Sequence, residues 1–421
     1  SASNKRVSVE LVGKDKIQDK LGRFDELTSV SLSYLGISGP GSPNDISSAV
    51  PNLKELDLTG NLLSKWKDVG AICEQLPGLQ ALNLSSNLMD HEISGLAQLS
   101  SIRILVLNNT GITWTQVELL KDLLPAIEEL HLIGNGISKI EPKSSTTVQG
   151  FESLRLLNLD DNCIEDWNEI VKLAFLGRLE QLHLNKNNLK HIIYPTAGAS
   201  GEESCVPFQN LSCLLLGHNC IGDAASVDSL NSFPKLVDIR LSENPISDPA
   251  KGGFPRYVLI ARLPKIEVLN GSEVGARERK DSEIRYVRLV MSTCNKNGDR
   301  IKELHPRFTE LKHFHGIEDQ KSSVGVSGPQ KMSSGLISIT LKCVGPTTAE
   351  KQPITKKLPA STSVGKLKIL CISFFRLRSV KLKLFLQETG SPMPMLLDDE
   401  MATLLDAGVS DESTILVDEE S

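Results

Sequence analysis

The sequence predicts an α/β leucine-rich-repeat solenoid followed by a smaller α+β domain. Two observations carry that expectation: one eleven-residue pattern returns many times in phase, and the composition changes abruptly before the last 86 residues. A third agrees with them. Hydrophobic content is 40% but aromatic content only 4%, the bias of a fold that stacks one small aliphatic layer repeatedly.

The pattern is L-x-x-L-x-L-x-x-N-x-L. It is clean at Leu53, Leu56, Leu58, Asn61 and Leu63, and returns at Leu79–Met89, Ile127–Ile137, Leu154–Ile164, Leu179–Leu189, Leu211–Ile221 and Leu236–Ile246. Two degenerate copies carry Leu35 and Thr110 where asparagine belongs, giving nine repeats, most starting 23 to 27 residues apart. That period is the leucine-rich-repeat range of roughly 20–29 residues. The L-x-L pair marks a short strand whose alternate side chains enter the core. The asparagine turns the chain and offers an amide to backbone groups that would otherwise be buried unpaired. Between strands, Trp66–Gln75, Thr115–Leu124 and Trp167–Leu176 read as helices on the convex side. No repeat buries its apolar face alone, so the stack is the folding unit.

Longer repeats carry loops at Pro142–Gly150 and Tyr194–Pro207. Ile266, Val268 and Leu269 read as a final half-turn broken by Asn270-Gly271. The mixed charges of Arg277–Arg288 then suggest a helix with a solvated face closing the open end. The domain boundaries expected are 1–26 for a flanking segment, 27–319 for the repeats with their cap, 320–335 for a Ser/Gly-rich linker, and 336–421 for the second domain.

In that domain, Leu336–Val344 and Pro353–Leu358 read as strands, Ser363–Leu377 as the helix, and Val380–Leu386 and Thr414–Val417 as further strands. This order resembles ubiquitin, so the expectation is a ubiquitin-like β-grasp. The end at Ser421 carries no Gly-Gly, which favours an integral docking module over conjugation.

Catalytic signatures are missing from the sequence, including G-x-x-x-x-G-K-[ST], G-x-S-x-G and H-E-x-x-H, so a non-enzyme without a cofactor or metal is expected. The net charge of −6 disfavours a nucleic-acid binder. None of the eight cysteines has zinc-ligand spacing, and Cys163 and Cys220, each following a repeat asparagine, read as small buried residues. With no transmembrane-length apolar run, signal peptide or disulfide framework, the reading is cytoplasmic and not membrane-bound. The chain opens at Ser1 rather than methionine, which reads as a fragment.

The positions flanking each L-x-L form the candidate site. Nine strands at about 4.8 Å make a sheet of roughly 40 Å, a length suited to a folded protein surface. The expected partner-binding residues are Glu55, Asp57, Asn83, Ile104, Val106, Glu129, His131, Ile133, Leu156, Asn158, Asp160, Gln181, His183, Asp238 and Arg240. They mix apolar centres with acids, as a protein interface requires. His131 and His183 occupy equivalent strand positions one repeat removed.

The order of parts, the opening "NKRVSVELVGKDKIQDKLGRFDELTSVSL" and the stretches "LNGSEVGARERKDSEIRYVR" and "HPRFTELKHFHGIED" resemble the tubulin-folding cofactor E family. The resemblance implies a chaperone that binds α-tubulin and works with cofactors D and C in assembling or dismantling the α/β-tubulin heterodimer. The family's CAP-Gly module is not within these 421 residues, so recognition of the acidic α-tubulin tail is not assigned to them. The alternative is a leucine-rich adaptor delivering cargo to the ubiquitin–proteasome system through the ubiquitin-like domain, with the proteasome as partner. A third reading is a generic regulator, for example of a phosphatase.

Overall fold

The computed structural model describes residues 23–293 (except 94, 144 and 196–205), 304–317, 336–344, 351–377, 382–387, 394–397, 400, 403, 404, 407, 409 and 412–419. The sequence-read segment before Arg23, most of the Tyr194–Pro207 loop, the linker, and Cys205 and Cys294 lie outside them. The chain divides into two compact units, residues 1–317 and 318–421.

In the first unit, nine three-residue strands lie parallel in sequence order: β1 (Ser29–Ser31), β2 (Glu55–Asp57), β3 (Ala81–Asn83), β4 (Ile104–Val106), β5 (Glu129–His131), β6 (Leu156–Asn158), β7 (Gln181–His183), β8 (Cys213–Leu215) and β9 (Asp238–Arg240). Each central residue is the middle aliphatic of the repeat pattern, and from Leu56 to Ile239 all are buried. Register is kept throughout, with Glu55 against Ala81, Ala81 against Ile104 and Ile104 against Glu129. Equivalent side chains therefore form straight rows across the sheet.

The repeat asparagines hold the stack together. Asn162 donates from Nδ2 to Leu159 O of its own repeat and to Leu132 O of the preceding one, both at 3.0 Å, and its Oδ1 accepts from Ile137 N at 2.9 Å. Asn87, Asn187, Asn219 and Asn244 repeat the arrangement. Thr110 keeps the bond to its own repeat, Oγ1 to Leu107 O at 2.9 Å, while its N and Oγ1 donate forward to Asn135 Oδ1 and its O accepts from Met89 N of the preceding repeat. The residue before the asparagine slot is left-handed in every repeat: Tyr34, Gly60, Ser86, Asn109, Gly134, Asp161, Lys186, His218 and Glu243. A left-handed residue costs about 1 kcal/mol when it is not glycine, and the asparagine bonds that follow it offset that cost.

The convex side carries α1 (Asp45–Ala49), α2 (Trp66–Glu74), α3 (Trp114–Lys121), α4 (Trp167–Val171) and α5 (Ala224–Ser229). Three of them start on a buried tryptophan, Trp66, Trp114 or Trp167, whose indole N–H reaches Asp90 O, Glu118 Oε1 or Ile193 O. Helix α4 stops five residues earlier than its periodicity predicts, because the chain after Val171 tightens into successive turns under Leu173 and Leu176. Cys163 and Cys220 correct the sequence reading, since both are exposed. The slot after the asparagine points outward, and the next residue, Ile164 or Ile221, is the one that enters the core.

After the repeats come α6 (Arg256–Arg262), a hairpin of β10 (Val268–Leu269) and β11 (Ser272–Glu273), α7 (Ala276–Thr293) and α8 (Phe308–Phe314). Asn270 and Gly271 are both left-handed, the turn that an Asn-Gly hairpin favours. Helix α7 is more than a solvated face: Tyr286, Val287 and Val290 bury against Val258, Ala261 and Leu311. Its Glu283 is buried too, 2.8 Å from His315 and 3.6 Å from Arg307. Arg262, 2% exposed in its side chain, bonds Asp228 at 2.7 Å and so ties α6 to the last repeat helix.

The second unit is a five-stranded mixed sheet. It comprises β12 (Leu336–Cys343), β13 (Ile354–Pro359), β14 (Leu382–Gln387), β15 (Met395–Leu396) and β16 (Thr414–Glu419), in the order β13-β12-β16-β14-β15. The central pair β12 and β16 is parallel, and α9 (Val364–Phe375) covers one face through Val364, Leu367, Cys371 and Phe375. This is the β-grasp order that the sequence suggested. The short edge strand β15 has two residues and no alternation to announce it.

Candidate partner-binding face

Two rows of strand side chains line the concave sheet, because the strands are three residues long and their centres point inward. The first row runs Ser29, Glu55, Ala81, Ile104, Glu129, Leu156, Gln181, Cys213, Asp238. The second runs Ser31, Asp57, Asn83, Val106, His131, Asn158, His183, Leu215, Arg240, and Ile133 and Asp160 follow two residues on in their repeats. Of the expected residues, Glu55, Gln181 and Arg240 are exposed and the others half-buried, with one exception. Asn158 is buried, its Oδ1 accepting from Asp160 N at 2.9 Å, and it offers a partner little surface.

The rows place Ile104 and Val106 on β4 and Leu156 on β6, with Glu129 and His131 of β5 between them, Ile133 two residues past His131, and Ala81 beside Ile104. The acids of the face differ in freedom. Asp57 is saturated: Oδ1 accepts from Thr59 N and Oγ1, and Oδ2 from Ser31 and Ser33. These bonds outweigh the opposing effect of burial and hold its carboxyl below the usual range. Asp160 is similarly committed, taking Asn185 N at 2.6 Å and Asn185 Nδ2 at 3.1 Å. Glu129 faces His131 at 3.5 Å on its own strand, and Glu55 is the open carboxylate of the set.

His131 and His183 are separated by Asn158 in register, so they do not form a pair. Burial pushes the His183 imidazole below its ordinary value, with His131 adding to the shift and Asp160 and Asp238 opposing it. At neutral pH His183 is therefore an uncharged polar surface. Cys213, 3.7 Å from Asp238, has its thiol pushed up to about 12 by burial and that carboxylate, so it is no nucleophile.

One feature of the face escapes the repeat pattern. A hollow of about 320 Å³ is lined by Ile133, Asp160, Asp161, Asn185, Lys186, His218 and Arg240. Gly217 keeps it open, since a Cβ there would lie 2.9 Å from Asn185 Oδ1 and 3.4 Å from Arg240 Cδ. Asp161, Lys186 and His218 are all left-handed residues preceding an asparagine slot. That slot was the signal available in the sequence. Among the described residues no group of three His, Cys, Asp or Glu side chains could hold a metal ion, and no helix is long and apolar enough to cross a membrane.

A leucine-rich repeat family profile matches residues 157–290. Tubulin-folding cofactor E of Arabidopsis thaliana is 64% identical over 422 aligned residues, spanning 100% of this chain and 80% of the relative. The chain belongs to the tubulin-folding cofactor E family. Tubulin-specific chaperone E of Xenopus laevis is 30% identical, covering 91% of this chain and 74% of its own. The human member is 29% identical over 86% of this chain and 69% of its own. Among solved structures, the ubiquitin-like domain of mouse tubulin-specific chaperone e is 24% identical over 22% of this chain and 96% of that one, at a TM-score of 0.20. As a member of the cofactor E family, the chain pairs a repeat solenoid with a β-grasp, and the candidate face belongs to the solenoid.

Proposed function

We propose that this chain is a tubulin-folding cofactor, a binding protein rather than an enzyme. In this reading it acts in the cytoplasm, holding α-tubulin on the concave face of its solenoid while cofactors D and C assemble or dismantle the heterodimer. The observation that supports it most is the 64% identity running the whole length of the chain. The face suits the task physically. Ile104, Val106, Ile133 and Leu156 supply apolar anchors, Glu129 supplies charge between Ile104 and Leu156, and Glu55 supplies it two strands before Ile104. Asp57 and Asp160, already satisfied within the sheet, keep the surface rigid, so binding spends little on ordering them.

The test is capture of purified tubulin by the 421-residue chain and by a variant carrying Ile104→Asp and Leu156→Asp. Charges in a desolvated apolar centre cost binding several kcal/mol, so capture falls at least about thirtyfold while the far-UV spectrum is kept. Undiminished capture by the folded variant overturns the assignment of the face.

A second reading concerns the β-grasp unit. On the sheet face away from α9, Phe385 lies in register with Leu396 on one side and Leu416 on the other. This apolar row favours a docking role, with the proteasome as the partner in the adaptor reading. Phe385→Ala would then abolish proteasome association and leave tubulin capture intact.

A further inference from the structure

The β-grasp sheet has two edges, and they differ. β15 at one edge is two residues long, while β13 at the other runs for six, about 20 Å of strand. Among the described residues β13 pairs with β12 alone. In an antiparallel pair, successive residues direct their N–H and C=O alternately to the two sides, so half of the β13 backbone groups face away from β12. Such an edge is a template for one more strand.

The charge around that edge has one sign. Between Lys351 and Leu377, the stretch that builds β13 and α9, there are six cations and no Asp or Glu, in a chain whose net charge is −6. Two of the six are committed: Lys351 Nζ donates to Phe375 O at 2.6 Å, and Lys368 pairs with Glu400 at 2.8 Å. Lys356, Lys357, Lys366 and Arg376 are exposed, with no acid at ion-pair distance among the described residues. Lys356 and Lys357 are consecutive on β13, so their side chains leave the strand on opposite faces. Lys356 lies 5.0 Å from the centre of the Phe374 ring, which puts it on the α9 face between half-buried Ile354 and Leu358. A cation therefore stands on each face of the free edge.

We propose that β13 is a docking edge for an extended acidic segment of a partner protein, which adds to the sheet as a further strand with its carboxylates against Lys356 and Lys357. The lysines decide what occupies the edge. A second copy of this chain, pairing edge to edge, would set them against their own equivalents, and lysine on an edge strand deters that pairing. Single-stranded nucleic acid needs open aromatic faces for its bases, whereas Phe374 is half-buried with Lys356 over its ring. A peptide strand satisfies the outward backbone groups and the charge together. The edge is separate from the Phe385 row, which lies on the sheet face away from α9. It is equally independent of what the concave face binds.

Titrating the whole 421-residue chain with a fluorescein-labelled synthetic peptide of alternating glutamate and valine tests this, by fluorescence anisotropy and by hydrogen exchange. The peptide is expected to bind, and its counterpart with lysine for glutamate to bind at least about a hundredfold more weakly. Exchange should slow at alternate amides of residues 354–359, those turned away from β12, because only a paired strand protects that subset. This readout needs no variant. Lys356→Glu with Lys357→Glu is expected to weaken binding at least about tenfold, with unchanged exchange over β14 and β16 showing that the unit is folded. Protection that does not alternate along β13, or full affinity in the folded double variant, overturns the proposal. So does a thymidine oligonucleotide that binds more tightly than the peptide and loses affinity in the same variant, which would make the patch a nucleic-acid site.

Discussion

Replacing Asn162 by alanine is expected to cost this protein about 3 kcal/mol. The side chain is 6% exposed and sits between repeats 5 and 6. Its loss strands one carbonyl, Leu132 O, and two amides, Asn135 N and Ile137 N, while Leu159 O keeps its second donor, Asn187 Nδ2. Leu132, Leu159 and Ile137 are themselves buried, so water does not readily replace the amide. A buried polar group left unsatisfied costs about 1–3 kcal/mol. Taking the low end for each of the three, because the repeats relax, gives about 3 kcal/mol, near the top of the range for single substitutions. At roughly 2–4 °C per kcal/mol for a domain this large, the melting temperature drops by about 10 °C. Differential scanning calorimetry against Asn188→Ala, an exposed asparagine one residue past the next slot, is the assay. If the two variants melt within about 1 °C of each other, the asparagine ladder does not hold the repeats together and the account of the stack is wrong.

Thr110→Asn restores the missing amide and should stabilise the chain by about 1 kcal/mol, the worth of a recovered hydrogen bond; a loss of stability in urea unfolding would show that the slot is already filled. His183 and His305 both have pKa values lowered by burial, so the native state favours their neutral forms. The unfolded chain binds protons more readily below pH 6.5, and stability therefore declines as pH falls from 6.5 through the lowered folded values. NMR titration should place both midpoints below 6.5, and His183→Gln should flatten part of the acid-side loss. Glu283→Gln weakens the buried contacts to His315 and Arg307 and should cost about 2–3 kcal/mol, loosening α8 first in limited proteolysis.

The repeats were legible because their period is strict. Each strand centre from Val30 to Ile239 falls on the middle aliphatic of its pattern, and one in-phase row fixes the register of the next. The same strictness made the concave rows readable residue by residue. What the pattern did not carry was everything set by a neighbour outside it. Asn158 reads as a surface position, but the return of the chain through Asp160 folds its amide inward. Cys163 and Cys220 look like core because they adjoin core residues, while the left-handed turn before each asparagine rotates them outward. The Lys186–His218–Arg240 hollow depends on Gly217 having no side chain, an absence with meaning only once Arg240 lies across it. In the cap, Glu283 finds His315 across 32 residues, too far for any local pattern to link them.

The claim that matters most is that the concave face between β3 and β6 binds tubulin. Its most direct measurement is the dissociation constant for purified tubulin of the chain carrying Ile104→Ala and Leu156→Ala, against a convex control at exposed Lys139→Ala. Two central aliphatic anchors are worth about 1–2 kcal/mol each, so the double variant should bind about thirty- to several-hundredfold more weakly while the control is unchanged. Equal affinity for all three proteins, with melting temperatures preserved, would place tubulin elsewhere on the molecule.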